Sequence, residues 1–242
     1  MSLPLFLVPA LPSGDSFELD GPEGRHAATV QRLRAGEELL LGDGQGGTAQ
    51  ARVEAVGKAS LSLFLTSRGY QERPDPLLKV AQGIAKGDRG ELAVQAMTEV
   101  GVDEIIPWAA ARSVAQWRGD RGFKARDKWA ATAREAAKQA RRAWIPTVAG
   151  DPDVSTKELV SRLDSTSLVL HEEASESLAT VELPATGEIV LVVGPEGGID
   201  GSELAAFVAV GARPVRLGGN VLRTSTAGVA ALSALSIRLS RW

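Results

Sequence analysis

Two glycine-containing segments carry the clearest chemical signal in this chain: Gly194-Pro-Glu-Gly-Gly-Ile-Asp200 and Leu217-Gly-Gly-Asn-Val-Leu-Arg-Thr-Ser-Thr-Ala227. Each follows a short run that reads as a strand, Ile189 to Val193 and Pro214 to Leu217, so each opens at a strand's C-terminal end. Open α/β sheets bind ligands at that end, and glycine lets backbone N–H and C=O groups approach a ligand with no side chain between. The pair predicts a backbone-lined cofactor pocket, although either loop alone reads first as an ordinary strand-to-helix turn capped by Asp200 or Ser202. His171 closes the run Leu168 to His171 beside these loops, as a pocket wall or as a structural imidazole. Other chemistries lose ground. The chain has no cysteine and two histidines, which removes thiolate nucleophiles and disulfides and leaves little for a metal site. Neither a P-loop pattern nor the G-x-S-x-G of serine hydrolases occurs. Gly42, Gly44 and Gly47 satisfy G-x-G-x-x-G, but a dinucleotide fingerprint must open a helix, and here a strand follows; a hairpin turn is expected.

The elements that position these loops are read from periodicity. Alternation at Ala49, Ala51, Val53, Ala55 and at Leu61, Leu63, Leu65 predicts half-buried antiparallel strands in a β-rich first seventy residues. The pattern breaks near Tyr70-Gln-Glu-Arg-Pro-Asp-Pro76, which reads as a linker and divides the chain into domains 1–72 and 77–242. Beyond it, apolar runs alternate with helical segments: Leu77 to Ile84, a helix near Asp88 to Val100, Glu104 to Trp108, a long helix ending near Trp144, then the runs at 168–171 and 189–193, a helix near Ser202 to Val210, the run at 214–217, and a last helix from about Thr224. That order predicts a parallel α/β sheet of about five strands. Trp129, Ala133, Ala136, Ala137, Ala140 and Trp144 form one stripe on the long helix, expected to face inward. With 242 residues, 44% apolar and 24% charged, and mean hydropathy near zero, the chain is globular. No apolar run approaches the ~20 residues of a bilayer span and the N-terminus lacks a basic n-region, so a cytoplasmic protein with no membrane association is expected. Net charge is −3, but residues 112–142 hold ten basic against three acidic side chains, a window of +7 that leaves −10 elsewhere.

In combination, GPEGG followed by LGGNVLRTSTA resembles the bacterial 16S rRNA uridine-N3 methyltransferases of the SPOUT class. Further blocks occur in the same order: His26-Ala-Ala-Thr-Val-Gln-Arg-Leu-Arg34, Asp43-Gly-Gln-Gly46, Lys86-Gly-Asp-Arg89, Thr98-Glu-Val-Gly-Val102 and Glu135-Ala-Ala-Lys-Gln139 with Arg142 and Pro146. The resemblance implies an N-terminal PUA-like β-barrel that helps hold RNA and a C-terminal trefoil-knotted α/β domain that binds S-adenosylmethionine. It implies a homodimer and no metal. It maps cofactor contacts onto Leu170, His171, Gly194, Pro195, Glu196, Gly197, Gly198, Leu217, Gly218, Leu222, Arg223 and Thr224. The implied substrate is N3 of uridine 1498 in 16S rRNA of the small ribosomal subunit. Arg223 is then expected to stabilise negative charge on the uracil oxygens, and Glu196 either to accept the N3 proton or to fix its loop. Arg112, Lys138, Arg141, Arg142, His26 and Arg32 are the expected RNA contacts. Ala96 and Ser225 depart from the family pattern, in which lysine and glutamate are common. Two other functions fit the same loops: a noncatalytic RNA-binding or ribosome-assembly factor, and a sibling enzyme acting on a ribose 2'-OH or another base.

Overall fold

The computed structural model describes residues 3–242. These divide into two compact units: the residues up to Arg73 together with Ala137–Ile145, and Pro74–Ala136 together with Pro146–Trp242. A division at the 72–77 linker does not anticipate the return of 137–145 to the first unit.

The first unit contains β1 (Leu5–Leu7), β2 (Ser16–Leu19), a short helix α1 (Gly21–Arg25) continued by one π-helical turn (His26–Val30), β3 (Glu38–Gly42), β4 (Gly47–Val56) and β5 (Leu61–Tyr70). Its sheet runs β1-β3-β4-β5-β2. All pairs are antiparallel except β1 with β3, which is parallel and departs from the expected antiparallel set. The period-two positions Ala49, Ala51, Val53, Leu61, Leu63 and Leu65 are buried and join Phe6, Leu39 and Leu41 in one core. The glycine-rich segment is the β3–β4 turn. Asp43 Oδ1 accepts from Gln45 N (2.7 Å) and Gly47 N (3.0 Å), and Gly44 and Gly46 take φ of 71° and 97°, values a side chain resists.

The second unit contains β6 (Leu77–Gly83), α2 (Arg89–Glu99), β7 (Glu104–Ala109), α3 (Gly119–Gln139, whose last turn belongs to the first unit), β8 (Thr147–Val148), β9 (Val154–Ser155), α4 (Thr156–Val160), β10 (Leu168–Leu170), β11 (Glu188–Val193), α5 (Gly201–Ala209), β12 (Arg213–Val215) and α6 (Thr224–Arg238). Seven strands, all parallel, run β12-β10-β11-β6-β7-β8 with β9 beside β7. The two strands beyond the expected five are two residues long each, too short to show a period. Both faces are covered. Ile189, Leu191 and Val193 pack with α2, α3 and α6, whereas Val190 and Val192 pack with α4 and α5. Burial on both sides is why this strand is apolar at every position instead of alternating.

The long helix ends five residues earlier than its stripe suggests. Trp129, Ala133, Ala136 and Ala137 are buried, but Ala140 is exposed and Arg141 adopts φ of 54°. Arg142 N then donates to Ala137 O at 2.9 Å, closing the helix end. Trp144 leaves the stripe and meets the edge of Tyr70, ring centroids 6.1 Å apart, while Arg73 covers it at 4.9 Å.

Candidate functional site

Strands β10, β11 and β12 end side by side, and the loops leaving them enclose a cleft of about 670 Å³ in the second unit. All twelve residues expected around the cofactor line it, from Leu170 and His171 through Gly194–Gly198 to Leu217, Gly218, Leu222, Arg223 and Thr224. Arg112 lines it too, as do Arg89, Glu172, Glu173, Arg216 and Asn220, which were not anticipated.

The loop after β11 is held from several sides. Gly83, at the end of β6, lies so close that a Cβ there would sit 2.6 Å from Pro195 N. Gly198 N donates to Pro195 O (2.9 Å), and Gly198 takes φ of 74°. From the far wall Arg112 donates through Nη1 to Gly197 O (3.3 Å) and pairs through Nη2 with Asp200 Oδ2 (3.1 Å). Asp200 caps α5 by accepting from Ser202 N (3.0 Å), and Glu203 reaches back to Asp200 N (3.2 Å), a capping box legible as D-x-x-E. Ser202's N–H and hydroxyl, with Arg112, hold the Asp200 carboxyl below the usual carboxylate range. Glu203 is buried and also accepts from Ala111 N (2.8 Å) and Thr156 Oγ1 (2.7 Å), so one carboxylate ties α5, α4 and the chain leading to Arg112.

Glu196 Oε1 accepts from Lys86 N (3.1 Å) and lies 3.7 Å from Arg89 Nη1. Its carboxylate is therefore already engaged in fixing the loop. His171 N donates to Val215 O (3.1 Å), and His171 Nδ1 accepts from Glu173 N (3.2 Å), which leaves Nε2 as the protonated nitrogen of the neutral ring.

The second loop is more open. A Cβ on Gly218 or Gly219 would meet no atom within 4 Å, and neither residue needs a left-handed φ. The fold itself therefore does not require glycine there. Arg223 occupies the N-cap position of α6 in extended conformation (φ −70°, ψ 152°) without a capping side-chain bond. Its guanidinium is exposed and makes no hydrogen bond or ion pair among the described residues. The next residue, Thr224, is buried: its Oγ1 donates to Gly194 O (2.8 Å) and accepts from Gln82 Nε2 (2.9 Å). Ser225 is buried in the same first turn, and Ala96 is half-buried on α2.

The expected RNA contacts scatter. Arg112 is committed to the Gly197–Asp200 loop, and Lys138 pairs with Glu23 at 2.8 Å with only 13% of its side chain exposed, so neither is a free cation as expected from the sequence. Arg141 and Arg32 are exposed, Arg142 is half-buried, and His26 packs edge-on to Phe6 (centroids 6.1 Å). All but Arg112 belong to the first unit. Among the described residues no group of three or more acidic, His or Cys side chains could hold a metal, and no helix is long and apolar enough to cross a membrane.

Comparison with known proteins agrees with this geometry. Residues 72–236 match the RNA methyltransferase domain family, and residues 19–65 match the RNA methyltransferase PUA domain. The ribosomal RNA small subunit methyltransferase E of Mycobacterium bovis is 46% identical, covering 98% of this chain and 93% of its own length. The protein of the same name from Bacillus subtilis is 32% identical over 91% of this chain and 90% of its own. A crystal structure of the Neisseria gonorrhoeae enzyme of that name, bound to S-adenosyl methionine, superposes with a TM-score of 0.86 at 29% identity, covering 98% of both chains. With a PUA-like β unit, a parallel α/β unit and relatives this similar along nearly its whole length, the chain belongs to the ribosomal RNA small subunit methyltransferase E family.

Proposed function

We propose that the protein methylates N3 of one uridine in 16S rRNA, uridine 1498 in the family's numbering, using S-adenosylmethionine. The observation that carries this reading is the single cleft lined by all twelve expected cofactor contacts. The residues suit that cofactor: Gly218 lines the cleft and a Cβ there would touch no protein atom within 4 Å, so glycine at this position leaves room for a ligand against the backbone. Backbone groups of Gly194–Gly198 and Leu217–Gly218, with Leu170 and Leu222, would hold it. In this reading the loops after β11 and β12 are the knotted loops of the SPOUT class.

Bound S-adenosylmethionine supplies an electrophilic methyl group; the rest falls to the chain. Uracil N3 carries a proton at neutral pH, and its loss to solvent water puts negative charge on the flanking carbonyl oxygens. The unpaired Arg223 guanidinium is permanently charged and presents several donors, so it stabilises that charge as it develops. Glu196, already accepting from Lys86 N, holds the loop rather than taking the proton. Arg141, Arg142, Arg32 and His26 grip the RNA from the PUA-like unit, and the protein acts as a cytoplasmic homodimer. Bases in folded RNA must be splayed from the stack before they can be methylated, which makes that grip part of catalysis.

The test is nucleoside mass spectrometry of 16S rRNA from a deletion strain and its complemented parent. Loss of 3-methyluridine at one position, restored by the wild-type gene and not by Arg223→Ala, is expected. Unchanged 3-methyluridine refutes the reading. Loss of a 2'-O-methyl nucleoside instead identifies a sibling enzyme, and loss of no modification a noncatalytic assembly factor.

A further inference from the structure

We infer that Gln82 is a positioning residue for methyl transfer: through the Thr224 hydroxyl its amide locks the Gly194 carbonyl and so sets where Arg223 stands relative to the cofactor loop. The inference rests on the proposed function of that cleft.

Gln82 is fully buried, 0% exposed, near the end of a strand otherwise committed to the core. Its Nε2 donates to Thr224 Oγ1 at 2.9 Å and to Gly83 O at 3.2 Å, and Thr224 Oγ1 donates to Gly194 O at 2.8 Å. The polarity of this relay has one solution. A carbonyl oxygen only accepts, so the single hydroxyl proton goes to Gly194, and the hydroxyl must then accept from the amide. Three segments distant in sequence, the end of β6, the loop after β11 and the start of α6, are thereby joined at one hydroxyl. Arg223 at the N-cap of α6 makes no capping bond, and the bond from Thr226 Oγ1 to Arg223 O (3.2 Å) is local to the first turn. Arg223 is the residue next to the clamp, so its guanidinium swings from a root held against Gly194.

Stability alone does not explain a glutamine here. Its Oε1 is buried without a hydrogen-bond partner, a loss that an apolar side chain of the same shape avoids. A residue that gives away folding energy while joining both walls of a catalytic cleft is one whose contribution lies in geometry. Catalysis is sensitive to that geometry, since misplacement by about 1 Å costs on the order of a hundredfold in rate.

The experiment compares Gln82→Met, Thr224→Val, Thr224→Ser and the Gln82→Met/Thr224→Val double variant with wild type in full-length protein. Single-turnover transfer of labelled methyl to small-subunit rRNA is measured at saturating S-adenosylmethionine, with cofactor Kd and Tm in parallel. Gln82→Met should slow transfer by about tenfold to a hundredfold. Its Kd should stay within about threefold and its Tm should be equal to or above that of wild type, the sign opposite to that of a merely structural residue. Thr224→Ser should recover most of the rate lost in Thr224→Val, and the double variant should be no slower than the slower single variant, as for two links of one chain. A normal rate in Gln82→Met, a rate loss that follows a fall in Tm, or additive effects in the double variant overturns the inference. Labelled methyl is counted whichever atom receives it. A product other than 3-methyluridine would therefore refute the proposed target while leaving the role of Gln82 decided by the same rates.

Discussion

Replacing Gly218 with valine separates the cleft's role in binding from its role in the fold. A Cβ at this position meets nothing within 4 Å and the backbone is outside the left-handed region, so valine costs the protein itself little and Tm should move by no more than about 2 °C. Gly218 lines the cleft of about 670 Å³, so the three added carbons are expected to take up space there. If they exclude an equal number of ligand contacts at about 0.8 kcal/mol per methylene, the loss is about 2.4 kcal/mol, or roughly fiftyfold in Kd at 1.4 kcal/mol per decade. Titration calorimetry with S-adenosylmethionine in excess chelator measures it, and wild-type affinity should survive the chelator. Gly197→Ala is the contrasting control: its Cβ would lie 3.0 Å from Arg112 Cβ and 3.1 Å from Arg112 O, so it should lower Tm along with affinity. An unchanged Kd in Gly218→Val at unchanged Tm would refute the backbone-lined pocket, and so would wild-type binding that vanishes with chelation.

Arg223→Ala should give a folded protein whose single-turnover rate at saturating cofactor falls by roughly 10² to 10³, the usual effect of removing one preorganised donor, and Arg223→Lys should recover only part of it; a normal rate would leave Arg223 a surface residue. Reversing Arg141 and Arg142 to glutamate should weaken RNA association and flatten its log-log salt dependence by roughly 0.7 per lost phosphate contact, with cofactor affinity unchanged; an identical slope would take that segment out of RNA binding. Lys79 lies 2.5 Å from Glu188 and 3.3 Å from Glu104. Burial lowers its pKa, but the two carboxylates outweigh burial and hold it above the ordinary ammonium value. Its stabilisation is therefore complete below about pH 10.4 and lost as pH rises through the higher folded value. The gap in denaturant midpoint between wild type and Lys79→Met should shrink in that alkaline range; a constant gap would refute the ion pairs' contribution.

Local pattern made much of this molecule readable. Alternation at 49–53 and 61–65 belongs to strands wet on one side, and the unbroken run at 189–193 to a strand covered on both. Loops at strand ends are marked by their own glycines, so 194–200 and 217–227 indicate a backbone-lined pocket by themselves, whereas the individual contacts, Leu170 among them, follow from the family resemblance. What escaped was nonlocal. Gln82 finds Thr224 across 142 positions, and Arg112 finds Asp200 across 88, so nothing near either residue shows that it is bonded. Lys138 looks like part of a solvated basic face until Glu23, 115 residues away, is set against it. The apolar stripe of α3 continues past Gln139 in the sequence, but Ala140 is exposed and Trp144 answers to the β3–β4 turn and to Tyr70 instead of to the helix's own core.

That return of 137–145 imposes an order on synthesis. Gly46 N donates to Ala143 O (3.0 Å), Ile145 N donates to Gly44 O (3.1 Å), and Trp144 supplies the partner of Tyr70. All five strands of the first unit have been made once the ribosome passes Tyr70, yet these partners come about 75 residues later. At 5 to 20 residues per second that is roughly 4 to 15 s. Throughout the interval the nascent β unit carries an unfinished turn and an unmatched aromatic ring. The intervening segment, 74–136, meanwhile emerges with β6 and β7 but without β10, β11 and β12. The first unit cannot close until 74–136 has been made, and the second cannot close until the first is complete in sequence, so a cut in the 71–76 linker yields two incomplete pieces, and a stable fragment must carry both crossings of the chain.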